Sequence, residues 1–345
     1  MSGVNPEAGS SDGPSLRSLI RGYETSQVVH VAARLGVADL LAEGPRTAED
    51  LAEALQVDAG ALHRLLHALA ALGLLDHLGG SRYALAEPGA RLRDRVPGSL
   101  RTVALLAGER SYRAWGGLLH SVRTGETAFR HVFGTGTFEY MAAHPEIAGF
   151  YNEAMAAGAA ERAAAVVVAY DFSGSRTVVD VGGGHATLLI AILSANAGVR
   201  GVLFERESVA VGARARIEAA GLGSRCAVVS GDFFESVPRG GDLYLLSHII
   251  HNWDDQRSSR ILANCRAGIA PRAKLLIVEQ VLPERFVPSR TAVQAAMADL
   301  HMLAITGGQE RTAGAYRELL AGAGFTLTAV IETAVAESLI ESVAL

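Results

Sequence analysis

Five polar side chains in the second half of the chain stand at or just after the end of a short apolar stretch. They are Asp180, Glu205, Asp232, Ser247 and Glu279. The apolar stretches are rich in β-branched residues and alternate with helical patterns, which predicts a parallel sheet with crossover helices. Ligands of such sheets bind outside the carboxyl ends of the strands. We therefore expect these side chains to line one binding site.

A glycine turn follows the first of these predicted strands. Gly182 and Gly184 lack a Cβ, so the backbone can adopt positive φ and bring a ligand close to the free N–H groups that open the next helix. A dinucleotide fingerprint would require glycine at position 187, where the chain has Thr187, and this argues against a nicotinamide or flavin. Asp180 can meet a cationic group, and Glu205 lies near the offset of about 20 residues at which an acid holds a ribose diol. An ordinary turn between strand and helix is the simpler alternative.

One short segment carries two of the eleven histidines. His248 and His251 lie three positions apart and are followed by Asp254 and Asp255, a set that could suggest a metal site. The two aspartates fit better as the cap and first turn of a helix over Gln256–Ala270. We therefore expect no metal here. A histidine of this segment is instead a candidate to accept a proton in catalysis.

Length and composition limit the class of protein. A chain of 345 residues, 49% hydrophobic and 19% charged, is long enough for about two domains with a sizeable core. The net charge of −5 argues against a nucleic-acid or anionic-membrane surface, and no apolar run approaches the ~20 residues of a membrane helix. Only two cysteines, Cys226 and Cys265, are present, which suits the reducing cytoplasm. Residues 1–14 are predicted to be a disordered tail and not a signal peptide.

The first helical pattern is apolar for a segment so near the start of the chain. It runs over Ser15–Ala33 and includes Leu16, Leu19 and Ile20. A monomer could not easily cover such a helix, so the pattern predicts a second subunit and hence a homodimer.

The next segment has the pattern of a winged helix-turn-helix. Thr47 opens a capping box before one helix, a second helix is predicted over Ala61–Leu72, and Tyr83–Leu85 resembles a wing strand. DNA recognition requires a cationic helix, but Pro45–Ala90 contains three basic and six acidic residues. This favours a dimerisation element over a transcription regulator.

The predicted elements divide residues 15–345 into three parts. Residues 15–100 form the winged-helix-like domain, residues 101–170 are connecting helices that contribute to a pocket, and residues 171–345 form the sheet domain. The predicted strands are Val178–Val181, Gly201–Phe204, Cys226–Ser230, Asp242–Ser247 and Lys274–Val278.

Four local motifs carry a resemblance to a known family. In chain order they are Val179-Asp180-Val181-Gly182-Gly183-Gly184, Gly231-Asp232-Phe233-Phe234, His251-Asn252-Trp253-Asp254 and Gly307-Gly308-Gln309-Glu310-Arg311-Thr312. Together they closely resemble the S-adenosylmethionine-dependent O-methyltransferases of the plant caffeate type and their actinobacterial natural-product relatives. The resemblance extends from about Leu16 over nearly the whole chain. It implies an α/β fold: a doubly wound, Rossmann-like methyltransferase sheet behind an all-helical, winged-helix-like dimerisation domain.

The resemblance also implies roles for individual positions. His251 falls on the family's general base, and Glu279 and Glu310 fall on the carboxylates that flank it. S-adenosylmethionine, released as S-adenosylhomocysteine, would be bound by Asp180, Gly182, Gly184, Glu205, Asp232, Phe233, Ser247 and Trp253. An aromatic small-molecule acceptor would contact Tyr151, Asn152, Met155 and Met302.

Three positions depart from the family pattern. Ala186 replaces a third glycine and is expected only to tighten the turn. Asn252 replaces the aspartate that usually follows the base, so any help from that charge is lost. The segment between Met302 and Glu310 is one residue shorter than in the plant enzymes.

Methyl transfer from a sulfonium requires alignment of the reactants and removal of one proton. A phenol with a pKa of ~10 is mostly neutral at pH 7, so a neutral imidazole can accept its proton as the oxygen attacks. A carboxylate on the other ring nitrogen, from Glu279 or Glu310, would fix the tautomer. We therefore expect methylation of a phenolic hydroxyl of a secondary metabolite. The alternatives are a cofactor-binding relative that decarboxylates or hydroxylates a polyketide, and the winged-helix regulator.

Overall fold

The computed structural model describes residues 15–345, except for the side chains of residues 152, 153, 156 and 157. The predicted tail of residues 1–14 lies outside the described residues. The chain forms two compact units, one ending at Tyr112 and the other comprising Arg113–Leu345. Within residues 15–345, no helix is long and apolar enough to cross a membrane.

Short helices and a small sheet form the first unit. The helices are α1 (Leu16–Ile20), α2 (Gly22–Leu35), α3 (Val37–Leu41), α4 (Ala48–Leu55), α5 (Ala59–Ala71), α6 (Glu87–Ala90) and α7 (Arg101–Leu106). A π-helical segment, Ala107–Ser111, then leads into α8 (Tyr112–Trp115). The strands are β1 (Arg46–Thr47), β2 (Leu75–His77) and β3 (Arg82–Leu85), and β3 pairs antiparallel with both of the others.

The predicted helix-turn-helix is present in this unit. Thr47 Oγ1 accepts a hydrogen bond from the Asp50 N–H at 3.1 Å, and the Asp50 carboxylate accepts one from the Thr47 N–H, which completes the capping box of α4. Leu51, Leu66 and Tyr83 are fully buried in its core. The domain is not all-helical, however, because β1 and β2 join β3 in a sheet. Strands of two and three residues are too short to give an alternating pattern in the sequence.

The apolar segment at the start is two helices where the sequence predicted one. Ser15 caps α1, and the helical geometry is interrupted at Arg21, next to Gly22, a residue that weakens helices. Leu16, Leu19 and Ile20 are 73%, 61% and 66% exposed within this chain.

The second unit contains the large sheet. Its helices are α9 (Leu118–Thr124), α10 (Ala128–Phe133), α11 (Thr137–Ala143), α12 (Pro145–Ala157), α13 (Ala159–Ala169), α14 (Thr187–Ala195), α15 (Glu207–Ala219), α16 (Asp255–Gly268), α17 (Arg290–Ile305) and α18 (Ala313–Gly322). Its strands are β4 (Thr177–Val181), β5 (Arg200–Glu205), β6 (Cys226–Ser230), β7 (Leu243–Ser247), β8 (Lys274–Leu282), β9 (Arg311–Thr312), β10 (Phe325–Glu332) and β11 (Glu337–Ala344). A single 3₁₀ turn, Ile250–Asn252, precedes α16.

The strand order of the large sheet is β10-β11-β8-β7-β4-β5-β6, with β9 paired to the end of β8. Strands β4 to β8 are parallel to one another, as the sequence predicts. The antiparallel strand β11 is inserted between β8 and β10. The chain order reverses between β4 and β7, which is the position where open α/β sheets form a binding crevice.

Two apolar layers enclose this sheet. Residues of β4, β7 and β8 are buried on both faces, which explains why these strands read as continuous apolar runs in the sequence. One layer contains Leu189 and Ile192 of α14, and the other contains Ile261 and Leu262 of α16. The rigid central strands therefore hold their carboxyl ends, and the side chains there, in fixed positions.

Candidate active site

The glycine turn after β4 has the backbone geometry that the sequence predicts. Gly182 and Gly184 have φ angles of 73° and 55°, in the left-handed region that favours glycine. Ala186, the residue before α14, is also left-handed, with φ of 62°. The replacement of glycine at 186 therefore does more than tighten the turn, because a Cβ in this region costs about 1–2 kcal/mol.

Asp180 lies directly below this turn and is 1% exposed. Neither of its carboxyl oxygens has a hydrogen-bond partner among the described residues. Burial, together with the nearby charge of Glu205, raises the pKa of Asp180 to about 7. A Cβ at Gly183 would collide with the carboxyl group, which would have to move to admit a side chain there. A buried carboxyl without a partner is costly, and this one is placed to receive a cationic ligand.

The next two strand ends also present acids to the turn. Glu205 accepts hydrogen bonds from the N–H groups of Gly184 at 3.0 Å and Arg206 at 2.7 Å, so it ties β5 to the glycine turn. Asp232 accepts one from the Phe234 N–H at 2.8 Å, which holds the loop after β6. Both carboxylates keep further lone pairs for a ligand.

Four aromatic rings form a group beside these acids. The ring of Trp253 stacks on Phe138 at a centroid distance of 5.4 Å and meets Phe234 edge-on at 4.8 Å. Phe233 lies 6.3 Å from Trp253 and in contact with Phe234. Phe233 and Trp253, which the family resemblance places among the cofactor-binding residues, are therefore neighbours.

A cavity of about 260 Å³ opens above the glycine turn. Its lining includes Asp180, Gly182, Gly184 and Ser247 from the predicted cofactor set and Tyr151 and Met155 from the predicted acceptor set. Among the described lining residues, Glu205, Asp232, Phe233, Trp253 and Met302 are absent. The side chain of Asn152 lies outside the described residues. Met302 is half-buried on α17, where its carbonyl accepts a hydrogen bond from the Thr306 N–H.

Arg162 of α13 also lines this cavity, although no sequence motif identifies it as a site residue. Its Nη2 donates to the carbonyl of Met155 at 3.1 Å, and its Nε lies 3.6 Å from Oε1 of Glu337. The remaining guanidinium donors can bind an anionic group in the cavity.

His251 stands in the 3₁₀ turn after β7, and its side chain is one-tenth exposed. Its Nδ1 lies 2.8 Å from Oε1 of Glu310, a residue that is itself buried. Its backbone N–H donates to Oε1 of Glu279 at 3.0 Å, and Tyr316 donates its hydroxyl proton to the other oxygen of Glu279. The two candidate carboxylates therefore differ: Glu310 contacts the imidazole, and Glu279 contacts the backbone that carries it.

These neighbours set the protonation of the imidazole. Burial alone would lower the pKa of His251, but the hydrogen bond that its ring donates to Glu310 and the charges of Glu279 and Glu310 outweigh it. The pKa of His251 therefore lies above its ordinary value of 6.5.

The glycine-rich segment after α17 brings Glu310 to the histidine. The N–H of Gln309 donates to the His251 carbonyl at 2.9 Å. A Cβ at Gly308 would collide with the backbone of residues 251–253, so a side chain cannot be placed there. Arg311 secures the next position, because its guanidinium donates to the Trp253 carbonyl at 3.0 Å and to Asp255 at 2.8 Å.

The side chain of Asn252 has a structural role that an aspartate could not fill. Its Nδ2 donates to the carbonyl of His248 at 2.8 Å, whereas a carboxylate has no donor. Asp254 caps α16 through the Arg257 N–H at 2.8 Å, as the sequence predicts. Among the described residues, no group of three or more His, Cys, Asp or Glu side chains is arranged to hold a metal ion.

Comparison with known protein families gives two matches along the chain. Residues 115–326 match the O-methyltransferase domain, and residues 18–92 match the O-methyltransferase dimerisation domain. The first match covers more than half of the chain and includes the glycine turn, His251 and Glu310.

Individual relatives are similar over nearly their whole length. The chain is 45% identical to a phenazine O-methyltransferase of Lysobacter antibioticus over 327 residues, covering 95% of both chains. It is 43% identical to the O-demethylpuromycin-O-methyltransferase of Streptomyces alboniger over 315 residues, covering 91% of this chain and 84% of the relative.

A solved structure with bound ligands is also similar. It is the crystal structure of an O-methyltransferase from neocarzinostatin biosynthesis in complex with S-adenosylmethionine and 2-hydroxy-5-methyl naphthoic acid. The similarity has a TM-score of 0.85 at 33% identity and covers 97% of this chain and all of the other.

Proposed function

Because the chain belongs to the O-methyltransferase family and is an S-adenosylmethionine-dependent methyltransferase, we propose that it methylates a phenolic hydroxyl of an aromatic metabolite with His251 as general base. The observation that carries the proposal is the 2.8 Å contact between His251 Nδ1 and Glu310 Oε1. An imidazole oriented through one nitrogen by a carboxylate can accept a proton at the other.

The residues around the glycine turn fit S-adenosylmethionine. The unpartnered, buried carboxyl of Asp180 suits a cationic group, and the guanidinium of Arg162 suits a carboxylate in the same cavity. Glu205, which accepts a hydrogen bond from the Gly184 N–H, would bind the ribose hydroxyls. Gly182, Gly184 and Ser247 line the cavity. Asp232, Phe233 and Trp253 would bind the adenine.

When bound, the cofactor supplies a methyl group that its sulfonium already activates. The protein's own contribution is alignment and one proton transfer. His251 receives the proton of the acceptor hydroxyl at Nε2, because Nδ1 is engaged by Glu310. The Glu310 carboxylate then stabilises the imidazolium ion, and the anchor from Glu279 to the His251 N–H keeps the ring in place.

The acceptor is proposed to be a small aromatic molecule bound by Tyr151, Asn152, Met155 and Met302. Two relatives are named for a phenazine and for O-demethylpuromycin, and the similar crystal structure contains a hydroxynaphthoic acid. Tyr151 and the exposed Met155 border the cavity above the glycine turn, which supports this part of the proposal.

We propose that the chain acts as a homodimer through residues 15–100, with residues 101–170 contributing to the acceptor pocket and residues 171–345 binding the cofactor. The exposed apolar side chains of α1 and the match to a dimerisation domain support the dimer. Light scattering at micromolar concentration should give twice the mass of one chain, and a monomer would contradict it.

The activity is tested by incubation with methyl-labelled S-adenosylmethionine and a set of phenolic acceptors. We expect a product with one added methyl group that carries the label. A product that has lost carbon dioxide or gained a hydroxyl group, without the label, would instead indicate the decarboxylase or hydroxylase alternative. DNA binding at low salt would instead support the hypothesis that the chain is a winged-helix regulator.

A further inference from the structure

Arg311, the first residue of β9, is a buried cation that follows Glu310 directly in the chain. Its side chain is 2% exposed, and arginine is almost never buried to this extent unless it is paired. The acid that pairs with it, Asp255, lies 2.8 Å from Nη2 but is itself 71% exposed. Solvent screens an exposed carboxylate, so this ion pair alone does not explain why the charge is buried.

The guanidinium also binds the turn that carries the proposed base. Nη2 donates to the carbonyl of Trp253 at 3.0 Å and Nη1 to the carbonyl of Ile250 at 3.4 Å, and these two carbonyls lie on either side of His251 in the chain. Nη1 donates as well to the carbonyl of Gln309 at 3.3 Å, in the segment that carries Glu310. One planar group with several donors therefore joins the two stretches of chain that supply the imidazole and its carboxylate.

The surrounding elements fix the position of this cation. Strand β9 pairs in parallel with the end of β8, where Arg311 lies opposite Val281. On the side of α16, the hydroxyl of the fully buried Ser258 accepts a hydrogen bond from Nη2 at 3.2 Å. The positive charge is thus held in one place relative to the turn.

The charge of Arg311 acts on the imidazole in the direction opposite to the two glutamates. Burial and the charge of Arg311 lower the pKa of His251, whereas the hydrogen bond to Glu310 and the charges of Glu279 and Glu310 raise it. A general base works best when its pKa lies near the operating pH. With two carboxylates and no cation beside it, His251 would keep its proton over more of the pH range in which it must accept one.

We propose that Arg311 is a positioning residue of the methyl transfer. It holds the His251 turn against the Glu310 segment and supplies the buried positive charge that balances the two glutamates. This inference rests on the proposed role of His251 as the base. Arg311 acts through these neighbours and is assigned no contact with the cofactor or the acceptor.

Two substitutions separate the charge of Arg311 from its geometry. Arg311→Gln removes the charge, so the rise of kcat/KM with pH should move to higher pH. Arg311→Lys keeps a positive charge but not the planar fork of donors, so its rise should stay near that of the wild-type protein. In both variants the maximal turnover should fall by roughly 10–100-fold, because a small displacement of a reacting group is costly.

Arg317→Gln is the matched control, because it removes the same charge from an exposed position of α18. Its pH profile and turnover should equal those of the wild-type protein, since solvent screens an exposed charge. The proposal is overturned if Arg311→Gln leaves the profile in place, if Arg311→Lys shifts it as far as Arg311→Gln does, or if Arg311→Lys keeps wild-type turnover. The last comparison decides alone if thermal unfolding shows that Arg311→Gln does not fold.

Failure of the methyl transfer itself gives a different result, namely no methylated product from any acceptor. In that case, the titration of His251 is followed without activity, by NMR of the protein with isotope-labelled histidine and with His251→Asn to assign the signal. The midpoint should lie at higher pH in Arg311→Gln than in the wild-type protein, and close to wild type in Arg311→Lys and Arg317→Gln. Equal midpoints in Arg311→Gln and wild type would refute the role of the charge.

Discussion

Nδ1 of His251 and Oε1 of Glu310 lie 2.8 Å apart although the two residues are 59 positions apart in the chain. Both side chains are at most one-tenth exposed. A histidine–carboxylate pair shielded in this way is electrostatically stronger than one in water. It fixes which ring nitrogen can take part in proton transfer.

Replacement of the base should separate binding from turnover. His251→Ala should leave S-adenosylmethionine affinity nearly intact, because the proposed cofactor contacts are at Asp180, Glu205 and Asp232. Its turnover on a phenolic acceptor should fall by roughly 10²–10⁴-fold, the usual contribution of a positioned base. Calorimetry and steady-state kinetics measure the two effects. Turnover at the wild-type rate would remove His251 from the mechanism.

The pH dependence should follow the imidazole. A protonated His251 cannot accept a proton, so kcat/KM should rise with pH through an apparent pKa above 6.5. Glu310→Gln removes the negative charge that raises this pKa, so the same rise should move to lower pH while the maximal rate falls. Measurement of kcat/KM between pH 5 and 9 for the wild-type protein and for Glu310→Gln tests this prediction. An unshifted profile would mean that Glu310 does not set the protonation of the base.

The two glutamates should differ in what they support. Glu279 binds the His251 N–H and the Tyr316 hydroxyl, so Glu279→Gln should lower the temperature of unfolding as well as turnover. It should shift the pH profile less than Glu310→Gln does, because Glu279 does not contact the ring. Thermal unfolding and the rate profile together test this, and identical effects of both variants on the profile would contradict it.

Asp180 should make the cofactor-free protein less stable as pH rises. Its folded-state pKa of about 7 exceeds its ordinary 3.8, so the folded protein binds the additional proton and loses that advantage between pH 4 and 7. The loss amounts to up to about 4 kcal/mol. Relative to Asp180→Asn, wild-type stability in urea should therefore decline from pH 5 to pH 8. Parallel pH curves for the two proteins would show that this carboxyl does not titrate as described.

Glu205 offers a further test of the cofactor site. Glu205→Ala should weaken S-adenosylmethionine binding by about tenfold or more, since a hydrogen bond to a charged group contributes ~1.5–3 kcal/mol. Part of this loss would come from the Gly184 N–H, which Glu205 holds. Asp232→Asn retains the side-chain oxygen that accepts from Phe234 and serves as a milder comparison. Unchanged affinity of Glu205→Ala in calorimetry would rule out the ribose contact.

The common location of the carboxyl ends of β4 to β8 could be predicted from the sequence, because parallel strands end at the same edge of a sheet. Asp180, Glu205 and Ser247 could therefore be placed near each other without any tertiary information. The presence of Arg162 at the site could not be predicted, because Arg162 lies in an alanine-rich helical stretch whose position depends on packing against α14. Glu337 was missed for a related reason: nothing in its local sequence indicates that β11 enters the sheet antiparallel beside β8.

The contact of Gly308 with the backbone of residues 251–253 makes the base depend on a residue that has no side chain. A methyl group at 308 would push the segment away and carry the neighbouring Glu310 carboxylate with it. Substitutions at this position are consequently limited by the size of the new side chain rather than by its polarity or charge. Libraries that randomise the loop to change acceptor preference should keep glycine at 308, because any larger residue is expected to cost turnover before it alters selectivity.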